Sequence, residues 1–225
     1  MGVLAGCSTK KNKFPNRAFH NLTSRYNGYF YAEESIKEGV EKIEKGNKED
    51  YTHLLPVFVY ADAKDAKNIY PEMDRAIKKS SLVIQRHTIT DRKGKEIPGA
   101  VKWIDENYMA IGKAHFYKHD FFSAIEAFDY VARIYTKSPM RYAAMMWTIR
   151  AYSEIGSFSM AEPIIDLLNS DKEFPKNFNR EFSAVCADYY IKRGNYDMGI
   201  KTLTKAAVLA RKKKNRSRYA FILAQ

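Results

Sequence analysis

His115 and His119 stand four residues apart, a spacing that on one helix could hold a metal ion between two imidazoles. The residue after His115 is Phe116, where a zinc hydrolase carries its Glu, so the pair has no general base beside it. In the register of the helical repeat that contains them, His115 takes a packing position and His119 a turn. Neither a glycine-rich phosphate loop nor a Gly-x-Ser-x-Gly elbow occurs. The carboxylates lie among bases at helical spacings, as solvated faces do. The sequence therefore assigns no catalytic residue, no metal ligand, no cofactor and no small-molecule substrate, and it points away from an enzyme.

The two cysteines call for separate explanations. Leu4-Ala5-Gly6-Cys7 has the form of a bacterial lipobox, in which an apolar and two small residues precede a thiol that accepts a lipid. Only six residues precede Cys7, fewer than a basic leader and roughly 7–15 apolar residues would need, so residues 1–6 read as the remnant of a signal peptide. Residues 7–18 read as a polar, basic tether containing Pro15. Ser8 after the cysteine favours the outer membrane, by analogy with other lipoproteins. Cys186 falls at an inward-facing helical position and reads as a small buried hydrophobe. A bridge between the two would staple the extreme N-terminus to a helix interior, so a disulfide framework is not expected.

These residues must be carried by helices. Glycine (11) and proline (7) are scarce among 225 residues, against the frequent turns a sheet sandwich needs. A hydrophobic content of 45% suffices for a core, yet no apolar run is long enough to span a bilayer. Residues 19–97 read as an N-terminal helical region. Phe19, Leu22, Tyr26, Tyr29 and Phe30 share helical spacings, and Ile36, Val40 and Ile43 continue on one stripe. Glu33–Lys37, Glu38–Lys42 and Glu41–Lys45 place Glu four residues before Lys, the favourable order. Pro56, among Leu54, Leu55, Val57, Phe58 and Val59, predicts an extended connection packed on the helices. A further helix begins near Ile69, with Pro71 in its first turn. Residues 90–99 are polar, end in Pro98-Gly99, and mark the boundary.

From residue 98 to 225 the chain repeats itself. His119-Asp120-Phe121, Gly156-Ser157-Phe158 and Gly194-Asn195-Tyr196 align, with periods of 37 (119 to 156) and 38 (156 to 194) residues. Each triplet is followed by a small residue (Ala124, Ala161, Gly199) and then an apolar one (Phe128, Ile165, Leu203). The turn residue lets the chain reverse, the aromatic wedges between the two helices, and the small residue lets their backbones approach. This predicts an all-α solenoid of helical hairpins, with repeats at about 100–138, 139–176 and 177–214 and the start of a fourth at 215–225. It resembles the tetratricopeptide repeat, with Tyr108, Ile111, Gly112, Ala124 and Phe128 fitting its consensus. Thr148 and Ile149 depart from it in the second copy. Because Gln225 falls partway through the fourth repeat's first helix, the sequence reads as part of a longer array.

In such an array the first helix of each hairpin lines a concave groove. By register that groove takes Met109, Lys113, Phe116, Tyr117, Met146, Arg150, Asp188 and Lys192, with Glu106, Glu154 and Ile191 beside them. Lys113, Arg150 and Lys192 would form a cationic ladder suited to an extended acidic or C-terminal peptide; the other reading is a solvated charged face. The formal charge of +12, densest at residues 211–218, supports a second functional class, a cytosolic repeat protein that binds nucleic acid. No nucleic-acid fold accompanies that charge.

The start Cys7-Ser8-Thr9-Lys10-Lys11-Asn12 resembles that of the SprE/PorW tetratricopeptide lipoproteins of the type IX secretion and gliding-motility machinery. Further likenesses are Phe19-His20-Asn21-Leu22-Thr23, Arg25-Tyr26-Asn27, Leu55-Pro56-Val57-Phe58, Met73-Asp74-Arg75-Ala76-Ile77 and the closing Arg218-Tyr219-Ala220-Phe221-Ile222-Leu223-Ala224-Gln225. Members of that family are much longer, so the resemblance implies its N-terminal portion. It further implies an outer-membrane lipoprotein facing the periplasm. The implied role is a scaffold linking the periplasmic ring of the secretion machine to its outer-membrane translocon, with protein partners and a lipid anchor at Cys7.

Overall fold

The computed structural model describes residues 12–225, and within them the protein is an all-α solenoid of consecutively packed helices. Cys7 and the signal remnant lie outside the described residues. The rod that opens the chain joins α1 (Phe14–Ser24), a π-helical turn (Arg25–Tyr29) and α2 (Phe30–Gly46) without a break. Pro15 sits in the first turn of α1, where its missing N–H costs nothing. Residues 14–18 of the expected tether are therefore helical. Helix α3 (Tyr70–His87) has Pro71 in its first turn, as anticipated, and buries Met73, Ala76 and Ser80.

Three hairpins follow: α4 (Ile104–Tyr117) with α5 (Phe121–Ile134), α6 (Met140–Glu154) with α7 (Phe158–Ser170), and α8 (Asn179–Lys192) with α9 (Tyr196–Leu209). Helix α10 (Lys213–Ala224) packs on α9. All three hairpin turns close in the same way. The N–H groups of Asp120, Ser157 and Asn195 donate to the carbonyls of His115, Tyr152 and Tyr190 at 2.9–3.0 Å. The residue before each is left-handed, with φ of 62° at His119, 70° at Gly156 and 80° at Gly194. This pair of features is a Schellman motif, which satisfies the last carbonyls of the first helix. Asp120 and Asn195 then cap the second helix by accepting from the N–H groups of Ser123 and Met198.

The small and apolar positions of the repeat also have their expected places. Ala124, Ala161 and Gly199 are buried, and Phe128, Ile165 and Leu203 fill the space between helices. A Cβ on Gly112 would stand 2.4 Å from the Phe128 ring, so only glycine admits that ring against α4. The wedge position behaves less uniformly. Phe121 and Phe158 pack into the core, whereas Tyr196 is exposed.

Apolar clusters follow one another along the helices, as expected of a quasi-one-dimensional stack. Ile36, Met73, Ala110 and Ala114 join α2, α3 and α4, while Val83, Ile104, Phe128 and Trp147 join α3 to α6. Tyr142, Ile165 and Tyr189 join α6, α7 and α8. Residues 90–99, expected as a boundary, lie in a loop of residues 88–103 with one isolated bridge between Thr90 and Glu96. Packing does not stop there, because Ile89, Ala100 and Val101 belong to the same cluster as Val83 and Phe128. The pair α2–α3 thus stacks on α4 as a preceding hairpin would. Its one irregularity is the long connection of residues 47–69 between the two helices, well beyond the usual span for neighbouring helices.

Candidate functional site

That connection determines what the inner face of the array can do. Residues 54–61, a non-helical segment bent at Val57 and Phe58, run across the first helices of the hairpins in the reverse of their chain order. Leu55 and Val57 are buried with Ala184 and Ala187 of α8, Leu203 and Ala206 of α9, and Tyr219 and Ile222 of α10. Phe58 packs between that cluster and the next, beside α6 and α8. Tyr60 lies against α4 and α6, and Val59 and Ala61 against the α2–α3–α4 cluster. The connection packs on the helices as expected, though it bends at Val57 and Phe58, and its docking surface is the groove of the repeats.

Backbone groups of the segment are read at both ends. The Arg218 guanidinium on α10 donates to the Pro56 carbonyl from Nε and Nη2 at 3.0 and 2.8 Å, and its Nη1 pairs with Glu49. The Gln225 side chain accepts from the Leu55 N–H and donates to the His53 carbonyl. At the other end His119 Nε2 donates to the Ala61 carbonyl at 2.9 Å. His119 is the only described non-glycine residue in the left-handed region. Gly156 and Gly194 fill the equivalent turns, so the imidazole occupies a conformationally costly position where it can hold the segment.

At the centre sits Arg150. Its Nε donates to the Tyr60 hydroxyl at 2.7 Å. The guanidinium lies 3.6 Å from the centroid of Trp147, 4.3 Å from that of Phe58 and 5.6 Å from that of Phe116. Burial acts against the charge on Arg150, but the Tyr60 and Tyr117 hydroxyls outweigh it and hold its pKa above the ordinary value. Burial likewise pushes the Tyr60 hydroxyl well up, against the opposing pull of Arg150. The cluster is a cation enclosed by aromatic faces, an arrangement whose attraction grows as water is excluded.

Of the predicted groove residues, Phe116, Tyr117 and Arg150 form the bed of a cis segment, with the Lys192 ammonium 5.7 Å from the Tyr60 ring. Phe116 and Tyr117 contact the Tyr60 ring at 5.0 and 6.2 Å between centroids. Met109 and Met146 are buried within the helical core. No open cationic ladder is presented, and three contacts explain why. Lys113 pairs with Glu33 of α2 at 3.2 Å. Arg150 is enclosed as described. Lys192 pairs with Glu154 at 2.6 Å and Asp188 at 2.7 Å. Burial opposes the Lys192 charge, but the two carboxylates prevail and raise its pKa. Glu106 faces elsewhere, near Asp105 and the α5–α6 turn. Periodicity could not reveal the occupant, since Phe58 and Tyr60 meet Trp147 and Arg150, and Pro56 meets Arg218, from distant parts of the chain. The available signal was a long apolar connection with a proline in an otherwise tight array.

The histidine pair divides its attention. His115 Nδ1 donates to Asp120 at 2.9 Å, and His119 turns to Ala61. Among the described residues no group of three or more His, Cys, Asp or Glu is placed to hold a metal ion. The basic run at 211–218 is partly committed to internal contacts, through Lys214 with Glu44 and Arg218 with Glu49. Among the described residues no helix is long and apolar enough to cross a membrane. No protein-family model matches the chain, and no curated protein matches it.

Proposed function

We propose that this chain is a lipid-anchored helical-repeat scaffold that holds protein components of a type IX secretion and gliding-motility apparatus together. It would link periplasmic ring and outer-membrane translocon through contacts made outside the filled groove. The observation that carries the scaffold reading is an apolar set on the second helices of three successive hairpins. Phe122 on α5, Met160 and Leu167 on α7, and Tyr196, Ile200 and Val208 on α9 are all exposed. Large exposed apolar side chains recurring in this way suit protein contacts. The machine itself is suggested by the sequence resemblance alone, and the anchor by the lipobox at Cys7.

Two experiments test the two halves. Labelling cells with a radioactive fatty acid should mark the wild type and spare Cys7→Ala; equal label in both contradicts the anchor. A photo-crosslinking amino acid at Ile200 or Val208, in cells that assemble the secretion apparatus, should yield adducts with ring or translocon proteins. Adducts with neither, from a protein that complements the deletion, contradict the scaffold.

A further inference from the structure

The rod that opens the structure is amphipathic the wrong way round. Its inner face toward α3 carries His20, Ser24, Gly28 and Ala32, all buried and all polar or small. Its outer face carries Phe19, Leu22, Tyr26 and Phe30, each more than half exposed. The inner face is fixed by close and polar contacts. A Cβ on Gly28 would lie 1.8 Å from the Val83 side chain, and the Nδ1 atoms of His20 and His87 meet at 2.9 Å. Asn21 accepts from the Lys102 N–H at 2.8 Å, and the Arg25 guanidinium lies 5.0 Å from the Trp103 centroid. The rod is thus held in place with its aromatic stripe turned to solvent.

Charge identifies what would cover that stripe. Residues 1–32 contain five bases (Lys10, Lys11, Lys13, Arg17, Arg25) and no Asp or Glu. A second copy docking face to face would oppose like charges without a counter-ion from this region. A bilayer surface with anionic head groups satisfies both features, because aromatic side chains suit the interface and bases suit the phosphates. Cys7 precedes Phe14 by seven residues, which span at most roughly 25 Å when extended. A lipid on Cys7 would therefore leave the stripe within reach of the same surface.

We propose that the face formed by Phe19 and Leu22 of α1, Tyr26 of the π-turn and Phe30 at the start of α2 lies on an anionic membrane surface, orienting the solenoid against the bilayer. The role of Cys7 here rests on the lipid-anchor reading, but the contact itself does not require acylation.

The test uses full-length protein with Cys7→Ser, which removes any acyl chain. Co-sedimentation with vesicles of phosphatidylethanolamine and phosphatidylglycerol should occur at low salt and weaken severalfold as ionic strength rises. Vesicles of phosphatidylcholine alone should bind far less. Leu22→Asp with Tyr26→Asp should lower binding roughly tenfold or more at unchanged melting temperature, since both side chains are exposed. Lys13→Glu with Arg17→Glu should reduce binding to the anionic vesicles without touching the apolar stripe. No binding at low salt, or binding indifferent to both pairs of substitutions, overturns the proposal. So does a dimer in vesicle-free solution that the Leu22/Tyr26 pair dissociates, which would assign the face to a second copy. Failure of fatty-acid labelling at Cys7 with vesicle binding intact would remove the anchor and leave this contact standing.

Discussion

Arg150 donates a 2.7 Å hydrogen bond to the hydroxyl of Tyr60, 90 residues earlier in the chain, and so ties the segment of residues 54–61 to the middle hairpin. Arg150 is almost fully buried, so its guanidinium depends on that hydroxyl and on surrounding ring faces in place of water. Tyr60→Phe should destabilise the protein by about 1–3 kcal/mol by leaving a buried donor unsatisfied. Arg150→Met should cost a similar amount through lost cation–ring contacts. In a double-mutant cycle followed by urea unfolding, the two should couple by about 1 kcal/mol or more. Additive effects would mean that the bond does not form in solution.

The repeat was legible from sequence because each position has a local reason. A left-handed turn residue, a cap and a small residue one turn later recur at fixed offsets, and the three Schellman turns fall where the triplets placed them. Of the residues assigned to the groove, Phe116, Tyr117, Arg150 and Lys192 gather around Tyr60, whereas Met109 and Met146 are buried in the helical core. What local pattern could not supply was the occupant. Whether Lys113, Arg150 and Lys192 are offered to a partner depends on Glu33, Tyr60 and the Glu154–Asp188 pair, contacts set by tertiary packing. Register alone says which way a side chain points, and nothing about what already stands there.

His119 separates strain from contact. His119→Gly relieves a left-handed conformation costing about 1–2 kcal/mol and loses a hydrogen bond worth about 0.5–1.5 kcal/mol, so its stability should stay near that of the wild type. His119→Ala loses the bond and keeps the strain. It should therefore fall below the glycine variant by about 1 kcal/mol in denaturant unfolding. Equal stability of the two variants would contradict the left-handed backbone.

Glu106 makes stability depend on pH. Burial pushes its pKa up to about 9, with Asp105 adding to the effect, and its Oε2 is buried without a hydrogen-bond partner. The folded state therefore keeps a proton that the unfolded chain releases near the ordinary carboxylate value. Stability contributed by this group is present at low pH and is lost as pH rises from about 4.5 toward about 9. Glu106→Gln should stabilise the protein, with an advantage that grows by at most about 1.4 kcal/mol per pH unit across that window. Chemical unfolding at pH 5, 7 and 9 checks this, and an advantage independent of pH would contradict it.

Cys186 should be inert while the protein is folded. It is buried in the α6–α7–α8 cluster, and burial pushes its thiol pKa up to about 12. In a Cys7→Ser background, a thiol reagent should modify it only as fast as that region opens, and promptly in denaturant. Rapid labelling of the native protein would mean that the third hairpin does not close as described.

Residues 54–61 fill the groove of their own chain, so a photo-crosslinking amino acid in place of Phe58 should capture the helices beneath it. Irradiation of the purified protein should give adducts within single chains, mapping by mass spectrometry to α6 and α8. Adducts between chains, or a map that avoids both helices, would mean that the groove is not filled by its own chain.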